Sequence, residues 1–371
     1  MSDVPLLTRT AQVEQLACQL ARETVIAVDL EADSMHSYQE KVCLLQFSWQ
    51  DQTALVDPLA GADLAALRPL MADGAITKIF HAADYDIRCL ARDCAIEVRG
   101  LFDTMVACQL LGEERVGLAD VLKKYFAIEL DKSCQRADWS QRPLPEKMLR
   151  YAAEDTRHLQ RLLAVLRPQL EEKGRLAWAR EEFALLERAR FRPQEGPAVL
   201  RFKGAAVLPP AQLAVLQTLL EWRETEACRR DCPPYKVIGN RELLALAQQQ
   251  PTDEAALDKL VEVPARLRQR YGKALLRQVV AGQAVPAERW PRFARGERQP
   301  RDPAMEARLA RLKKWRAAKA EQLGLEPGIL INNASLEQLA AEQPRQLSQL
   351  EGLKDWQKTE LAAELLPLVQ N

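Results

Sequence analysis

The last 150 or so residues of this sequence repeat themselves, and that repeat fixes the domain plan. "EWRETEACRRDCPPYKVIGNRELLALAQQQP" (221–251) and "KWRAAKAEQLGLEPGILINNASLEQLAAEQP" (314–344) align without a gap at an offset of 93 residues. Trp222 matches Trp315, Arg223 matches Arg316, Pro234 matches Pro327, Asn240 matches Asn333 and Pro251 matches Pro344. After a three-residue deletion, Leu257, Leu260, Leu275 and Leu276 match Leu347, Leu350, Leu365 and Leu366. Strand signals fade after about residue 200, so each copy is expected to be an all-helical unit of about 70 residues. The segment between them, "PAERWPRFARGERQPRDP", is rich in Pro and Arg and reads as a linker. The expected domains are therefore 1–200, a first helical unit at 208–285, a linker at 286–303 and a second helical unit at 304–371.

A hydrophobic fraction of 47% supplies real cores for such a plan. No stretch approaches the roughly 18 apolar residues of a membrane span. The start, "MSDVPLLTRTAQVEQLACQLA", lacks the layout of a secretory signal, so a cytoplasmic protein without a membrane partner is expected. Eight scattered cysteines, with no Cys-x-x-Cys pair, read as reduced thiols, mostly buried.

The formal net charge is zero, but it is unevenly spread. Residues 1–200 hold 25 basic and 31 acidic side chains (25 − 31 = −6), and residues 201–371 hold 27 and 21 (27 − 21 = +6). Residues 266–319 alone carry 16 basic and 4 acidic side chains. An acidic front and a basic rear suggest a polyanion held by the rear, against the plainer reading of a solvated Arg-rich linker.

The first 200 residues alternate strand-like and helix-like segments. "TVIAVDLEA" (24–32), "KVCLLQFSW" (41–49) and "TALVDPL" (53–59) follow one another closely, as antiparallel neighbours do. "DLAALRPLMADG" (63–74) reads as a helix closed by Gly74, "ITKIF" (76–80) as a strand, and "RGLFDTMVACQLLG" (99–112) as a strand running into a helix. Together they predict a mixed α/β sheet flanked by helices.

Acidic residues gather at the ends of these elements. Asp29 and Glu31 stand two apart on the first long strand, so both carboxylates project from one side of the sheet. In "KIFHAADYDIRCL", Asp84 and Asp86 open a helix, where either is suited to cap it and one is suited to reach the same site. His81 reads as a packed histidine before a ligand. In "LRYAAEDTRHL" (149–159), Tyr151 and Asp155 share one helix face. Three chain segments bringing acids to one sheet make a plausible site for two divalent cations about 3.5–4 Å apart, with Tyr151 orienting the attacking water. Asp103 reads as an N-cap outside that site. Gln46, on the strand beside the acids, has two readings: facing substrate, or pairing within the sheet.

These residues carry a resemblance. "VDLEADSMHSYQEKVCLLQFS", "KIFHAADYDIRCL" and "YAAEDTRHL" look like the three motifs of the DEDDy 3′-to-5′ exonucleases, and their order, with "DWSQRPL" (138–144), is similar to that of bacterial ribonuclease D. The two helical repeats resemble the HRDC domains that ribonuclease D can carry in tandem. The resemblance implies a ribonuclease-H-like exonuclease sheet, with Asp29, Glu31, Asp86 and Asp155 as ligands of two Mg²⁺ or Mn²⁺ ions and Tyr151 as the water-orienting phenol. It implies stepwise release of nucleoside monophosphates from RNA 3′ ends, tRNA precursors above all, with no obligate protein partner. The alternatives are a DNA exonuclease of proofreading or Werner-like type, and an RNA-binding scaffold without catalysis.

The chain departs from the family where relatives carry an aromatic wedge after Asp-x-Glu; here Ala32 and Asp33 stand, and His36 and Tyr38 are the nearest candidates for stacking. In the rear half, "RLRQRYGKALLRQ" (266–278) with Tyr235 and Tyr271 is the expected RNA-gripping surface. The second copy has two readings of equal weight, RNA binding or packing.

Overall fold

A computed structural model of the chain describes residues 4–192, 196–293, 302–350 and 352–370. In chain order the first part comprises β1 (Leu6–Leu7), α1 (Thr10–Leu20), β2 (Val25–Ala32), β3 (Val42–Trp49), β4 (Gln52–Val56), α2 (Leu67–Ala72), β5 (Thr77–Phe80), α3 (Asp84–Asp93), β6 (Leu101–Asp103) and α4 (Thr104–Leu111). It continues with α5 (Leu118–Phe126), α6 (Glu146–Arg157), α7 (Leu159–Glu172) and α8 (Leu176–Leu186). The first helical copy spans α9 (Pro210–Arg229), α10 (Pro234–Val237), α11 (Asn240–Gln249), α12 (Glu254–Asp258) and α13 (Ala265–Gln283). The second spans α14 (Pro303–Leu323), α15 (Pro327–Leu330), α16 (Asn333–Glu342) and α17 (Asp355–Gln370).

The six strands form one sheet in the order β1-β4-β3-β2-β5-β6. β3 pairs antiparallel with β2 and β4, while β2–β5, β5–β6 and β1–β4 are parallel. This is the mixed sheet expected. β3 is buried along its whole length, which explains why its sequence is nearly all apolar rather than alternating. β1 was not expected; two residues are too few to show a period.

The helix at 63–74 is shorter than predicted. α2 ends at Ala72 with Asp73 as its C-cap, not at Gly74. The buried Lys78 in β5 explains why: its ammonium donates to the carbonyls of Leu70, Asp73 and Ile76, taking up acceptors that the helix end and the turn leave free.

The chain divides into two compact units. One comprises the described residues of Met1–Ala32, Val42–Phe191 and Gln299–Asn371; the other comprises Asp33–Lys41 with the described residues of Arg192–Arg298. The second helical copy thus belongs with the sheet, the arrangement that its packing reading expects. Leu336, Leu339, Leu347, Leu350 and Leu353 join the same apolar core as the strands. Trp356 stacks on Trp178 of α8 at 4.4 Å, and the backbone N–H groups of Asp355 and Trp356 donate to Glu181 at 2.6 and 2.8 Å. The first turn of α17 is therefore capped by a side chain from α8. At the other end, the Arg175 guanidinium donates to the carbonyls of Leu110 and Leu323.

In the other unit, the segment Asp33–Lys41 accompanies the first helical copy. The Tyr38 N–H donates to Asp231 at 3.1 Å, the Tyr235 hydroxyl donates to the Met35 carbonyl at 3.3 Å, and the Tyr38 ring packs against the unit's apolar core. Tyr38 is thereby occupied and is not a free stacking face. Tyr271 is likewise core: it is buried, lies edge-on to Trp222 at 5.3 Å and accepts from Arg230 at 2.6 Å.

The repeat seen in sequence recurs in backbone detail. Arg223 donates to the Ile238 carbonyl and Arg316 to the Ile331 carbonyl, and in both the Nε is buried without a partner. α11 and α16 end on Gln250 and Gln343, both left-handed at φ 48° and 46°. Residues 294–301 of the expected linker, with Arg295, Arg298 and Arg301, lie outside the described residues. Among the described helices none is long and apolar enough to cross a membrane, and all eight cysteines are free thiols, with only Cys18 and Cys228 exposed.

Candidate active site

β2 runs through the middle of the sheet and brings Asp29 and Glu31 to one face. α6 lies across that face, held by Ala152 in the apolar layer over β3 and by a hydrogen bond of 2.7 Å between Ser48 and Thr156 hydroxyls. Thr156 follows Asp155, so the seat of the helix fixes where that carboxylate goes. One oxygen from each of Asp29, Glu31 and Asp155 lies within 4.8 Å of the others. Asp86 is not part of this triple. It is buried in the first turn of α3 and joins the group through a hydrogen bond shared with Asp29.

The aim of α3 is set by a residue the sequence placed outside the site. The chain leaves β5 through Ala82, which holds a left-handed φ of 66°. The Asp103 carboxylate, buried at the end of β6, accepts from the N–H groups of Ala82 and Ala83 at 3.2 and 2.8 Å and from those of Met105 and Val106 at 2.8 and 3.1 Å. It caps α4 as expected and also ties down the turn into α3. Neither Asp84 nor Asp86 caps α3, whose N-cap is Ala83 without a side-chain bond. Asp84 instead grips Arg88 at the surface, with two contacts of 2.9 Å. His81 bonds to the Thr104 hydroxyl at 2.9 Å, the packed role expected.

Tyr151 stands one turn before Asp155 and half-buried, its ring 5.9 Å from the indole of Trp139. Trp139 is itself held by the "DWSQRPL" loop. Arg142 donates to both Asp57 oxygens at 2.7 Å, to the Cys43 carbonyl on β3 and to the Trp139 carbonyl. Trp139 joins the site although nothing in the "DWSQRPL" motif marks it out from its neighbours. Its indole is 1% exposed and its role appears only once α6 is in place.

Burial dominates the electrostatics. It pushes the Glu31 carboxyl up to about 10, with the charges of Asp29 and Asp155 adding to the rise. Asp29, Asp86 and Asp155 are also raised, first by burial. Burial and then Asp155, Glu31 and Asp29 raise the Tyr151 phenol too, so it stays protonated at neutral pH. So many acids in one buried place are costly to ionise without a counter-charge. Hard oxygen donors at this spacing fit a divalent cation of the Mg²⁺ class better than a soft metal.

A mixed sheet with such an acid cluster defines a class. The 3′-5′ exonuclease family model matches residues 6–171, and the HRDC domain model matches 212–279 and 305–369. The fold and the site are those of a divalent-metal-dependent 3′-to-5′ exonuclease followed by two HRDC domains.

Relatives narrow this further. A ribonuclease D of Gluconacetobacter diazotrophicus is 32% identical, covering 99% of this chain and 93% of its own. The Escherichia coli RNase D structure, described as an exoribonuclease involved in structured RNA processing, is 26% identical with a TM-score of 0.75, covering 99% of this chain and 98% of that one. The catalytic core of RRP6 from Trypanosoma brucei is 30% identical with a TM-score of 0.66, covering 75% and 79%. The chain belongs to the ribonuclease D family and is a 3′-to-5′ exoribonuclease.

Proposed function

We propose that the chain trims the 3′ ends of tRNA precursors and other structured RNAs in the cytoplasm, with Asp29, Glu31, Asp86 and Asp155 caging two Mg²⁺ or Mn²⁺ ions. The observation that carries the reading is the convergence of Asp29, Glu31 and Asp155 oxygens within 4.8 Å, with Asp86 bonded to Asp29. When bound, the cations supply positive charge that acidifies water and offsets the charge of the departing oxygen. The protein supplies the rest. Its acids fix the cations relative to the sheet, and Tyr151 keeps its proton and hydrogen-bonds the attacking water into line with the scissile bond. The raised phenol suits positioning rather than base catalysis.

The division of labour proposed is catalysis by the exonuclease domain (1–200), RNA grip by the first HRDC-like domain (208–285) and structural support by the second (304–371), with no obligate protein partner. In support of the grip, Arg266, Arg270, Lys273 and Arg277 are all exposed on α13. Their spacing of four, three and four puts them in a single row. Such a row binds phosphates without reading sequence and weakens with salt. Tyr235, 52% exposed, lies in the same unit and offers a face for stacking.

The test is a comparison of a 3′-extended tRNA with a single-stranded DNA oligonucleotide, each with Mg²⁺ or Mn²⁺. Faster shortening of the RNA is expected, and equal or faster loss of DNA would overturn the substrate assignment. Asp155→Asn should abolish trimming while leaving RNA binding nearly unchanged.

A further inference from the structure

Gln46 lies in β3 directly opposite Asp29 of β2. Residues so paired in an antiparallel ladder share a face, with Cβ atoms about 5 Å apart. On the same face of β3, Leu44 stands opposite Glu31, and Ser48 is bonded to Thr156, the neighbour of Asp155. Gln46 therefore has acid-bearing β2 beside it and α6 above it. It is completely buried, and neither its Oε1 nor its Nε2 has a hydrogen-bond partner. The side chain thus makes no hydrogen bond to its neighbours in the sheet in this structure. An unpaired buried carboxamide is expensive, and a Met or Leu of similar size would fill the space at less cost.

We propose that Gln46 is a positioning residue for the metal-binding carboxylates. In the cation-bound cluster its Nε2 donates to the oxygen of Asp29 turned away from the cations, and this bond fixes the rotamer of that ligand. The proposal rests on the metal reading above. Outer partners of metal ligands commonly account for about 10–100-fold in metal affinity. The bond is made to a metal ligand and not to the rest of the sheet, so its effect falls on binding rather than on the fold.

The experiment is calorimetric titration of Mn²⁺ into the full-length protein, with melting curves recorded with and without Mn²⁺. Gln46→Met keeps the length and removes both polar atoms. Its metal-free melting temperature should equal or exceed that of the wild type, its Mn²⁺ Kd should rise about 10–100-fold, and the metal-induced rise in melting temperature should shrink. Unchanged Mn²⁺ affinity in the variant beside a wild type that binds would overturn the proposal and leave Gln46 as packing. A wild type that binds no Mn²⁺ would instead remove the metal reading itself. Should the Met variant fail to fold, Gln46→Asn, which withdraws the carboxamide by one carbon, decides in its place: weakened binding supports the proposal and wild-type binding overturns it.

Discussion

The rings of Trp139 and Tyr151 lie 5.9 Å apart and tilted by 44°, so the phenol beside the acid cluster is held from behind by a buried indole. Ring packing and hydroxyl chemistry can then be separated. Tyr151→Phe keeps the ring and should lower kcat by about 10²-fold or more with KM and melting temperature little changed. Trp139→Leu should lower both kcat and stability. Steady-state trimming rates beside melting curves distinguish the two, and an active Phe variant would end the water-orienting role.

Asp103 binds four backbone N–H groups with one carboxylate. Asp103→Ala should lower unfolding stability by about 3 kcal/mol, since four bonds to backbone donors are lost together. The turn that aims Asp86 should loosen as well, with kcat falling about 10²-fold for a displacement near 1 Å. Adding Ala82→Gly should recover about 1 kcal/mol, because glycine holds the left-handed φ without strain. Urea titrations of the single and double variants check both numbers.

Burial lowers the Lys78 ammonium from 10.5 to about 8. Below about 8 it is charged in the folded and the unfolded chain alike. Between about 8 and 10.5 the unfolded chain binds more protons, so stability contributed by this group rises with pH. Relative to Lys78→Met, the wild type should therefore gain up to about 3 kcal/mol between pH 7 and pH 10.5. Parallel stability curves for the two proteins would contradict the shift.

Trp356 stacks on Trp178 and donates its indole N–H to Glu182 at 3.0 Å. Trp356→Ala should cost about 3–5 kcal/mol, as large aromatic truncations do. The second HRDC copy shares its core with the sheet, so the fluorescence of a probe attached to α17 and nuclease activity should be lost at the same urea concentration. Activity that outlasts the α17 signal would mean that the copy folds by itself.

Local periodicity carried most of what was read from the sequence. Period 2 put Asp29 and Glu31 on one face, and helical spacing put Tyr151 beside Asp155; the structure keeps both arrangements. What failed depended on burial. Tyr38 and Tyr271 looked like free aromatic faces and are absorbed into a core. Glu181 and Glu182, which nothing nearby in the sequence marks out, anchor the start of α17. The reach of Asp103 to Ala82 and the orphaned amide of Gln46 arise where distant segments meet, and no short window of sequence contains both halves.

The excursion Asp33–Lys41 departs two residues after Glu31 and is tethered through Asp231 and Tyr235. A minimal nuclease made by stopping near residue 192 would strip that excursion of its moorings and expose the apolar seat of the second HRDC copy. The polypeptide is laced rather than strung, and trimming activity is expected to resist isolation as a portable cassette.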